Sequence, residues 1–329
     1  PLMLEPAGRS GSALVVDQGY AYVVGGGGLR VWDLGASLPT AVGLYKMPGG
    51  DETLSVVEDT AYIGGRIFGG FYTVDVSDPA NPAWQGVYDN VWSAPEAHAI
   101  VGDAAYLAEE EGLRVLDISD PSAPVTSHYL GGLGSGQDIV LSGGLAYIAE
   151  SPYCHWDEVL HECEWAGGGL RIVDLSTLSQ VGYLDAPTEA SAVAVSGGYA
   201  YLGALRDEFE NGLYVVDVSD PSAPVEVGFY DTPGEPQAVA VNESLAYVAD
   251  GDAGLAIVDV GDPVAPVPVS TFTPGGVYDV AIVGSKLYLG TNWMAGILDA
   301  TDPTALAWLA ACQTGDVREI AVSDDGLLY

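Results

Sequence analysis

Short apolar runs alternate with polar turns along the whole chain, and the runs recur in a fixed order. In residues 192–203, the run AVAV is followed by a polar turn and then by the tyrosine-bearing run YAYLG. Short runs of this kind, separated by dipeptides such as Gly-Gly and Asn-Glu, favour antiparallel β-hairpins. The tyrosines of this element, here called the repeat tyrosines, are Tyr22, Tyr62, Tyr106, Tyr147, Tyr201, Tyr247 and Tyr288, with Tyr329 as an eighth.

A third apolar run follows each of the first seven repeat tyrosines and ends on an aspartate. Its form is GLRVLD at 112–117 and GLRIVD at 169–174, with a weaker AGILD at 295–299. The closing residues, here called the motif aspartates, are Asp33, Asp75, Asp117, Asp174, Asp217, Asp259 and Asp299. Their successive separations are 42, 42, 57, 43, 42 and 40 residues. A period this regular over the whole chain indicates a repeat architecture.

A proline-rich turn follows most of the motif aspartates. It is SDPANP at 77–82, SDPSAP at 119–124 and again at 219–224, and GDPVAP at 261–266. Aspartate and serine favour turns because they bond nearby backbone groups, and the first proline presets φ for the turn. The second proline begins a fourth strand, which must be an edge strand because proline has no N–H for a further partner. Each repeat therefore predicts four antiparallel strands.

Four-stranded units of this length are the blades of a β-propeller. The sequence therefore predicts an all-β propeller of four-stranded antiparallel blades, forming one domain over residues 1–329. Residues 317–329 have the pattern of a first and second strand, and residues 1–6 that of a fourth strand. We predict eight blades, the eighth closed by both termini, with seven blades as the alternative. The predicted blades span about 12–49, 50–91, 92–133, 134–187, 188–233, 234–274 and 275–315, with 317–329 plus 1–6 as the partial eighth.

The GLRIVD run, the SDPSAP turn and the preceding tyrosine strand together resemble the LVIVD-repeat family of bacterial and archaeal surface-exposed propeller proteins. The resemblance covers nearly the whole chain. This sequence departs from it in repeat one (GASLPT replaces the SDP turn), repeat four (LSTLSQ) and repeat seven (AGILD). The resemblance implies a propeller and an exported protein, extracellular or at the cell surface. It supplies no catalytic residues.

The charge of the chain excludes several classes of partner. There are 46 acidic and 9 basic residues, for a formal net charge of −37. Such a surface repels phosphate backbones and anionic headgroups, so we predict no nucleic acid partner. No apolar run approaches the roughly 18 residues of a membrane span, so we predict no direct membrane insertion. The negative charge suits a protein in a saline or extracellular setting, and it would also attract divalent cations. We predict no cofactor, with bound calcium as the alternative.

Variation in the repeats concentrates on one side of the predicted propeller. The loops between second and third strands, and those leading from one blade to the next, emerge on one face, here called the upper face. Repeat four carries an insertion there at 151–169, and repeat five a smaller one at 206–212. Variable loops on a uniform scaffold commonly carry function. The candidate binding residues are Trp92, Glu96, His98, Glu109, Glu110, Glu111, Tyr153, His155, Trp156, Asp157, Glu158, His161, Trp165, Asp207, Glu208, Phe209, Glu210 and Trp293.

The insertion of repeat four also holds Cys154 and Cys163, with His155 and His161 beside them. The resemblance to an exported family favours a disulfide between the two cysteines. A zinc site built from all four residues is an alternative, although the Cys-His-x5-His-x-Cys spacing matches no common zinc motif. Two free thiols are the third hypothesis. Cys312, in the fourth strand of repeat seven, has no assigned partner.

The aspartates that begin and follow the proline-rich turn allow two interpretations. Asp117 and Asp120 could bind calcium, with one such site per blade. Calcium needs six to eight oxygen ligands, and two carboxylates supply too few unless many carbonyls assist. The simpler interpretation is that these side chains cap the turn.

Recognised catalytic motifs are missing from the sequence. It contains no Cys-x-x-Cys-His, GxSxG, HExxH or P-loop motif, which argues against an enzyme without deciding the question.

The sequence favours a non-catalytic exported module of a cell surface or extracellular assembly, with a protein partner or self-assembly. Carbohydrate is a further partner class that the aromatic residues would suit. The alternatives are a calcium-stabilised adhesin, or a polysaccharide hydrolase or lyase using funnel acids such as Glu52, Glu96, Asp138, Asp279 and Glu319.

Overall fold

The structure is a computed structural model of the chain. It describes residues 11–25, 28–34, 40–47, 51–65, 70–89, 95–132, 134–157, 162–166, 168–185, 189–205, 211–312, 317 and 319–322, with backbone alone in some stretches, notably 153–157 and 162–166. Within these ranges the regular elements are β-strands, and no helix has the length or apolar character needed to cross a bilayer.

The first three blades follow the predicted order of strands. Blade one contains β1 (Gly11–Asp17), β2 (Tyr20–Gly25), β3 (Gly28–Asp33) and β4 (Thr40–Tyr45). Blade two contains β5 (Asp51–Val57), β6 (Thr60–Gly65), β7 (Gly70–Asp75) and β8 (Ala83–Asp89). Blade three contains β9 (Ala97–Val101), β10 (Ala104–Glu109), β11 (Gly112–Asp117) and β12 (Val125–Gly131).

Blade four differs from the others by an inserted hairpin. Its own strands are β13 (Ser135–Ser142), β14 (Leu145–Ser151), β17 (Gly169–Asp174) and β18 (Ser179–Leu184), and the hairpin is β15 (Tyr153–Asp157) with β16 (Glu162–Ala166).

The last three blades return to the simple four-stranded order. Blade five contains β19 (Glu189–Ser196), β20 (Tyr199–Leu205), β21 (Asn211–Asp217) and β22 (Val225–Asp231). Blade six contains β23 (Ala238–Asn242), β24 (Leu245–Ala249), β25 (Leu255–Asp259) and β26 (Val267–Phe272). Blade seven contains β27 (Val277–Val283), β28 (Lys286–Thr291), β29 (Ala295–Asp299) and β30 (Ala307–Cys312), and β31 (Glu319–Val322) follows.

The hydrophobic core lies between blades rather than within one sheet. Each junction between neighbouring blades holds its own cluster of buried apolar side chains, seven clusters among the described residues. Between blades five and six, for example, Tyr201, Leu213 and Val215 pack with Val248 and Val258. A blade is therefore buried on both faces, which explains why its second and third strands have nearly continuous apolar runs.

The motif aspartates hold the turn between the third and fourth strands. Asp117 Oδ1 accepts hydrogen bonds from the amide of Ser119 at 3.0 Å and from its hydroxyl at 2.6 Å. Asp120 accepts the corresponding pair from Ser122. Bonds to the ionised form lower the pKa of both carboxyls, and the Ser119 hydroxyl is the main cause for Asp117. Both carboxylates are thus engaged within their own turn.

The proline-rich turn also contacts the preceding blade at several of the junctions between blades. An added Cβ at Gly228 in β22 would lie 2.1 Å from the carbonyl oxygen of Pro263, in the turn of blade six. Gly43 and Gly182 make the same approach to Pro79 and Pro221, at 2.1 and 2.0 Å. We call this contact between a fourth-strand residue and the next blade's turn the blade lock. At these three positions the backbones meet closely enough that only glycine fits without a shift, whereas in blade six Ser270 makes the contact by donating its hydroxyl to the Pro303 carbonyl.

The structure has seven blades, so the prediction of eight is wrong and the seven-bladed alternative is right. β31 does not start a sheet of its own. It pairs in parallel with β1, Ala13 opposite Glu319, and makes blade one a five-stranded sheet. Val317 and Ile320 fill the cluster between blades seven and one, together with Leu14 and Tyr288. The ring closes at this junction. Residues 1–6 and 323–329, on which the eighth blade also depended, lie outside the described residues.

Candidate interaction face

The strand order places the predicted loops on a common face. In every blade the second strand ends, and the first strand begins, on the side from which the inserted hairpin emerges. Near this upper end, the first strands of blades one, two, four, five and seven carry a register shift. Such bulges are common at barrel rims and near functional sites because they redirect side chains. The third and fourth strands carry a register shift in all seven blades as well, so it is the uneven loop lengths that distinguish the upper face.

The inserted hairpin is the largest feature of the upper face. β15 and β16 form a separate two-stranded sheet, and within the described residues they pair only with each other. The strands carry five of the predicted binding residues, Tyr153, His155, Trp156, Asp157 and Trp165, whose side chains lie outside the described part. The hairpin is thus an addition to the blade rather than part of its sheet.

The register of the hairpin bears on the cysteine hypotheses. Cys154 pairs with Trp165, and Cys163 pairs with Trp156. The cysteines are diagonal neighbours, whose spacing of about 7–8 Å exceeds that of directly opposite residues and lies at or beyond the usual limit for a disulfide. No disulfide is seen in the part of the chain that the structure describes, so the predicted bridge is not supported. His161 lies outside the described residues.

The structure places the remaining candidates in different environments. Glu110 and Glu111 are exposed in the turn between β10 and β11, and Trp293 is 42% exposed. Glu96 is half-buried, and its amide donates to the carbonyl of Ala108 at 2.9 Å. The candidates that lie outside the described residues are Trp92, Glu158, Asp207, Glu208, Phe209 and Glu210.

Glu109 lies in the interior, not on the predicted binding surface. It is 1% exposed, and Arg114 donates to its two carboxylate oxygens at 2.7 and 2.9 Å. The Arg114 guanidinium also lies 4.6 Å from the ring centre of Tyr129. This is a bidentate ion pair within blade three. It links strands β10 and β11, and the Glu109 carboxylate is therefore not available to a partner.

Blade four repeats this arrangement with deeper burial. Glu150 is fully buried and accepts from Arg171 at 2.6 and 2.8 Å, and from the amide of Gly134 at 3.2 Å. The Arg171 guanidinium stacks 4.6 Å from the ring centre of Tyr183. Both carboxylates stand three residues after a repeat tyrosine, and both arginines three residues before a motif aspartate. The arginine of the GLRIVD run is therefore an internal counterion.

His98 is enclosed between blades two and three. Its Nδ1 lies 2.8 Å from the hydroxyl of Thr53, and its ring packs edge-on against Phe71 at 5.2 Å. Its Nε2 has no hydrogen-bond partner among the described residues. Burial lowers the pKa of His98 to about 4, so the ring is neutral at physiological pH. A neutral ring in this position packs the junction between the two blades.

Two of the proposed funnel acids connect neighbouring blades through backbone amides. Asp138 accepts from Ile139 in its own strand and from Val193 in blade five, both at 2.8 Å. Asp279 accepts from Val280 in its own strand at 2.7 Å and from Ile320 in β31. Burial, and to a lesser degree the Asp138 charge, raise the pKa of Asp279 to about 7. Glu52 and Glu319 have side chains outside the described part.

A sequence signal for these interior contacts becomes visible when the repeats are compared with one another. A carboxylate three residues after a repeat tyrosine, combined with an arginine three residues before the next motif aspartate, marks the buried pairs of blades three and four. The blade lock had a weaker signal, a glycine near the middle of the fourth strand.

Comparisons with known proteins agree with the repeat and the fold. The model of the LVIVD repeat matches residues 48–90, 99–129, 133–152, 187–232 and 233–273. No curated protein matches the chain. The chain is similar to the computationally designed Ika8 protein, with TM-score 0.72 and 12% identity over 98% of this chain and 93% of that one.

Two natural propeller-containing structures are similar at the same low identity. A chain of the Mitotic Checkpoint Complex has TM-score 0.66 and 11% identity, over 87% of this chain and 89% of that one. BamB from Moraxella catarrhalis has TM-score 0.64 and 12% identity, over 94% of this chain and 90% of that one. Identities this low establish a shared fold and no more.

Proposed function

The chain belongs to the LVIVD repeat family, and we propose that it is a non-catalytic interaction module of a cell surface or extracellular assembly. The partner is a protein or a second copy of the chain, and it docks on the upper face around the inserted hairpin. The observation that carries the proposal is the hairpin itself, a separate two-stranded sheet added to an otherwise uniform blade.

The regular parts of the repeat support this assignment because their residues already make contacts within the scaffold. The motif aspartates bond their own turns, the blade-lock glycines meet the next blade, and the GLRIVD arginines of blades three and four neutralise buried glutamates. What varies between blades lies in the upper loops, where variable recognition elements are expected. Similar propellers that occur in complexes, such as the one in the Mitotic Checkpoint Complex, make a protein partner a reasonable class.

The exported location rests on the family resemblance and on composition. A net charge of −37 keeps the surface soluble in salt and repels anionic surfaces. A cationic or aromatic-binding surface on a partner protein would complement Glu110 and Glu111, which are exposed in the upper turn of blade three, the neighbour of the blade that carries the hairpin. Trp293 would add an aromatic contact on blade seven.

The test is to replace the blade-four loop with the short turn of blade three. Residues 151–168 would be exchanged for Glu-Glu, which in blade three connects Glu109 directly to Gly112. Because the hairpin is a separate sheet, we expect the free energy of unfolding to change by about 1 kcal/mol or less. Retention of surface and extracellular proteins from the source cells, and self-association by sedimentation, should both be measured.

The matched control alters the opposite face. Ala123→Lys with Ala223→Lys changes two exposed lower turns without touching the hairpin. We expect the loop exchange to reduce partner retention or self-association at least tenfold, and the control to leave both unchanged. Equal retention by the folded loop variant would refute the hairpin as the docking site.

A further inference from the structure

The outer edge of blade seven differs in composition from the outer edges of the other blades. β30 (AWLAAC) contains no charged, hydroxyl or amide side chain, and it pairs with β29 and with no other strand among the described residues. Trp308 is 40% exposed and Leu309 is 56% exposed, and the neighbouring Ala307 and Ala310 are exposed as well. An exposed apolar edge strand of this kind is a place where another chain can associate.

The residue that protects other edge strands is also missing from blade seven. In five blades a proline comes directly before the fourth strand, as Pro39, Pro82, Pro124, Pro224 and Pro266. In blade seven this position is Leu306. Blade four also lacks the proline, but its fourth strand begins with the exposed polar residues Ser179 and Gln180. Blade seven is therefore the one blade of the seven with neither a proline nor a polar residue at the start of its outer strand.

The position of Leu309 is covered within the molecule in several other blades. It is the extra residue of the bulge that all seven fourth strands share, and in blades one, five and six it is Val42, Val227 and Val269. Those three valines pack against the clusters between blades. Blade three has the exposed Ser127 at this position. Where the position is exposed, blade three thus has a polar residue and blade seven a leucine, which a contact with another surface would cover.

The net charge is distributed unevenly around the ring. Blades two to six each have a formal charge of −6 or −7, whereas blade seven (275–315) has −2 and blade one (12–49) has 0. Both lysines of the chain, Lys46 and Lys286, lie in these two blades. A second copy of the chain therefore meets the least electrostatic repulsion where it approaches blades seven and one.

We propose that the outer edge of blade seven is a contact between two copies of this chain, related by a two-fold axis that sets Trp308 and Leu309 of each copy against those of the other. This arrangement brings the same weakly charged edge together from both copies and keeps the acidic blades three and four on the far sides. Any contact of this edge with blades two to six of a second copy would place uncharged side chains against a strongly acidic surface. A six-residue edge is small for a protein interface, so the dimer is weak and its population depends on concentration.

This contact lies on the outside of the ring and not on the upper face. It does not rest on the proposed docking at the hairpin, and it leaves the hairpin available to a different protein. Exchanging residues 151–168 for Glu-Glu should therefore leave dimerisation unchanged, so either proposal can fail alone.

Sedimentation of the whole chain over a series of concentrations tests the proposal, with a reducing agent present so that Cys312 cannot link two copies covalently. The unaltered chain should show a reversible monomer–dimer equilibrium with a Kd in the micromolar to millimolar range. Added salt should strengthen the dimer, because it screens the repulsion between two chains of net charge −37. Leu309→Glu places like charges across the two-fold contact and should weaken the dimer by about tenfold or more. Leu309→Ser, which copies Ser127 of blade three, should weaken it less.

The matched control is Val225→Glu, which adds the same charge to the fourth strand of blade five at a residue that is 55% exposed. It should leave the Kd of the dimer unchanged, and melting curves should show that all three variants fold. The proposal is overturned if the unaltered chain stays monomeric throughout the series, or if Leu309→Glu has no more effect than Val225→Glu. A dimer that salt weakens would overturn it as well, because that result indicates lysines of one copy bound to an acidic blade of the other.

Discussion

Replacing Arg171 with methionine is expected to lower the free energy of unfolding by about 3–5 kcal/mol. The substitution leaves the fully buried Glu150 carboxylate with the Gly134 amide, at 3.2 Å, as its remaining hydrogen-bond donor among the described residues. It also removes the packing of the guanidinium on Tyr183. Equilibrium urea unfolding of the two proteins would measure the loss as a shift of the midpoint.

A double variant separates the cost of leaving a buried charge unpaired from the cost of losing the packing of the arginine side chain. Glu150→Leu combined with Arg171→Met removes both charges, so we expect it to recover most of the loss, because a buried ion pair is often no better than well-packed apolar residues. A single Arg171→Met variant with an unchanged midpoint would contradict the account. So would a double variant no more stable than the single one.

Gly228→Val is expected to cost about 3 kcal/mol or more in unfolding free energy, at the upper end of overpacking effects. A Cβ at this position would lie 2.1 Å from the Pro263 carbonyl oxygen, a backbone atom that cannot turn away as a side chain could. Blades five and six would have to separate at the blade lock, loosening the cluster of Tyr201, Val248 and Val258. Gly228→Ala should show the same effect at smaller size.

The control for the blade lock lies on the same strand. Val225 is 55% exposed, and Val225→Ala should change the unfolding free energy by less than about 0.5 kcal/mol. If Gly228→Val were tolerated as well as Val225→Ala, the close contact between fourth strand and turn would not contribute to stability.

Most of the fold could be predicted because it is encoded within one repeat. The tyrosine run, the GLRIVD run and the proline-rich turn specify strands and turns locally, and in blades one to seven the strands lie where the pattern places them. The number of blades is different, because ring closure depends on the angles between blades, which one repeat does not reveal. Residues 319–322 have the pattern of a first strand, but they pair in parallel with β1 instead of founding a blade.

The candidate site could be predicted only in outline. Loop lengths identified the upper face and the insertion, because a break in the period is visible in the sequence. The burial of Glu109 could not be predicted from its surroundings in the sequence. Three consecutive glutamates beside a turn form the same sequence pattern whether all three side chains are exposed or one of them is buried. Only comparison across blades distinguishes it: Arg114 accompanies Glu109, as Arg171 accompanies Glu150. The alternation of apolar and polar residues within one strand does not show which charged side chains on neighbouring strands form ion pairs.

The central claim is that the repeat builds a scaffold and that recognition takes place on its upper face. Hydrogen–deuterium exchange of the chain, free and bound to the partner that it retains, tests this most directly. We expect protection on binding at the hairpin of residues 153–157 and 162–166 and at the neighbouring upper turn 110–111, with the lower turns 77–82, 119–124 and 219–224 unchanged. Protection confined to those lower turns, with the hairpin unaffected, would contradict the account.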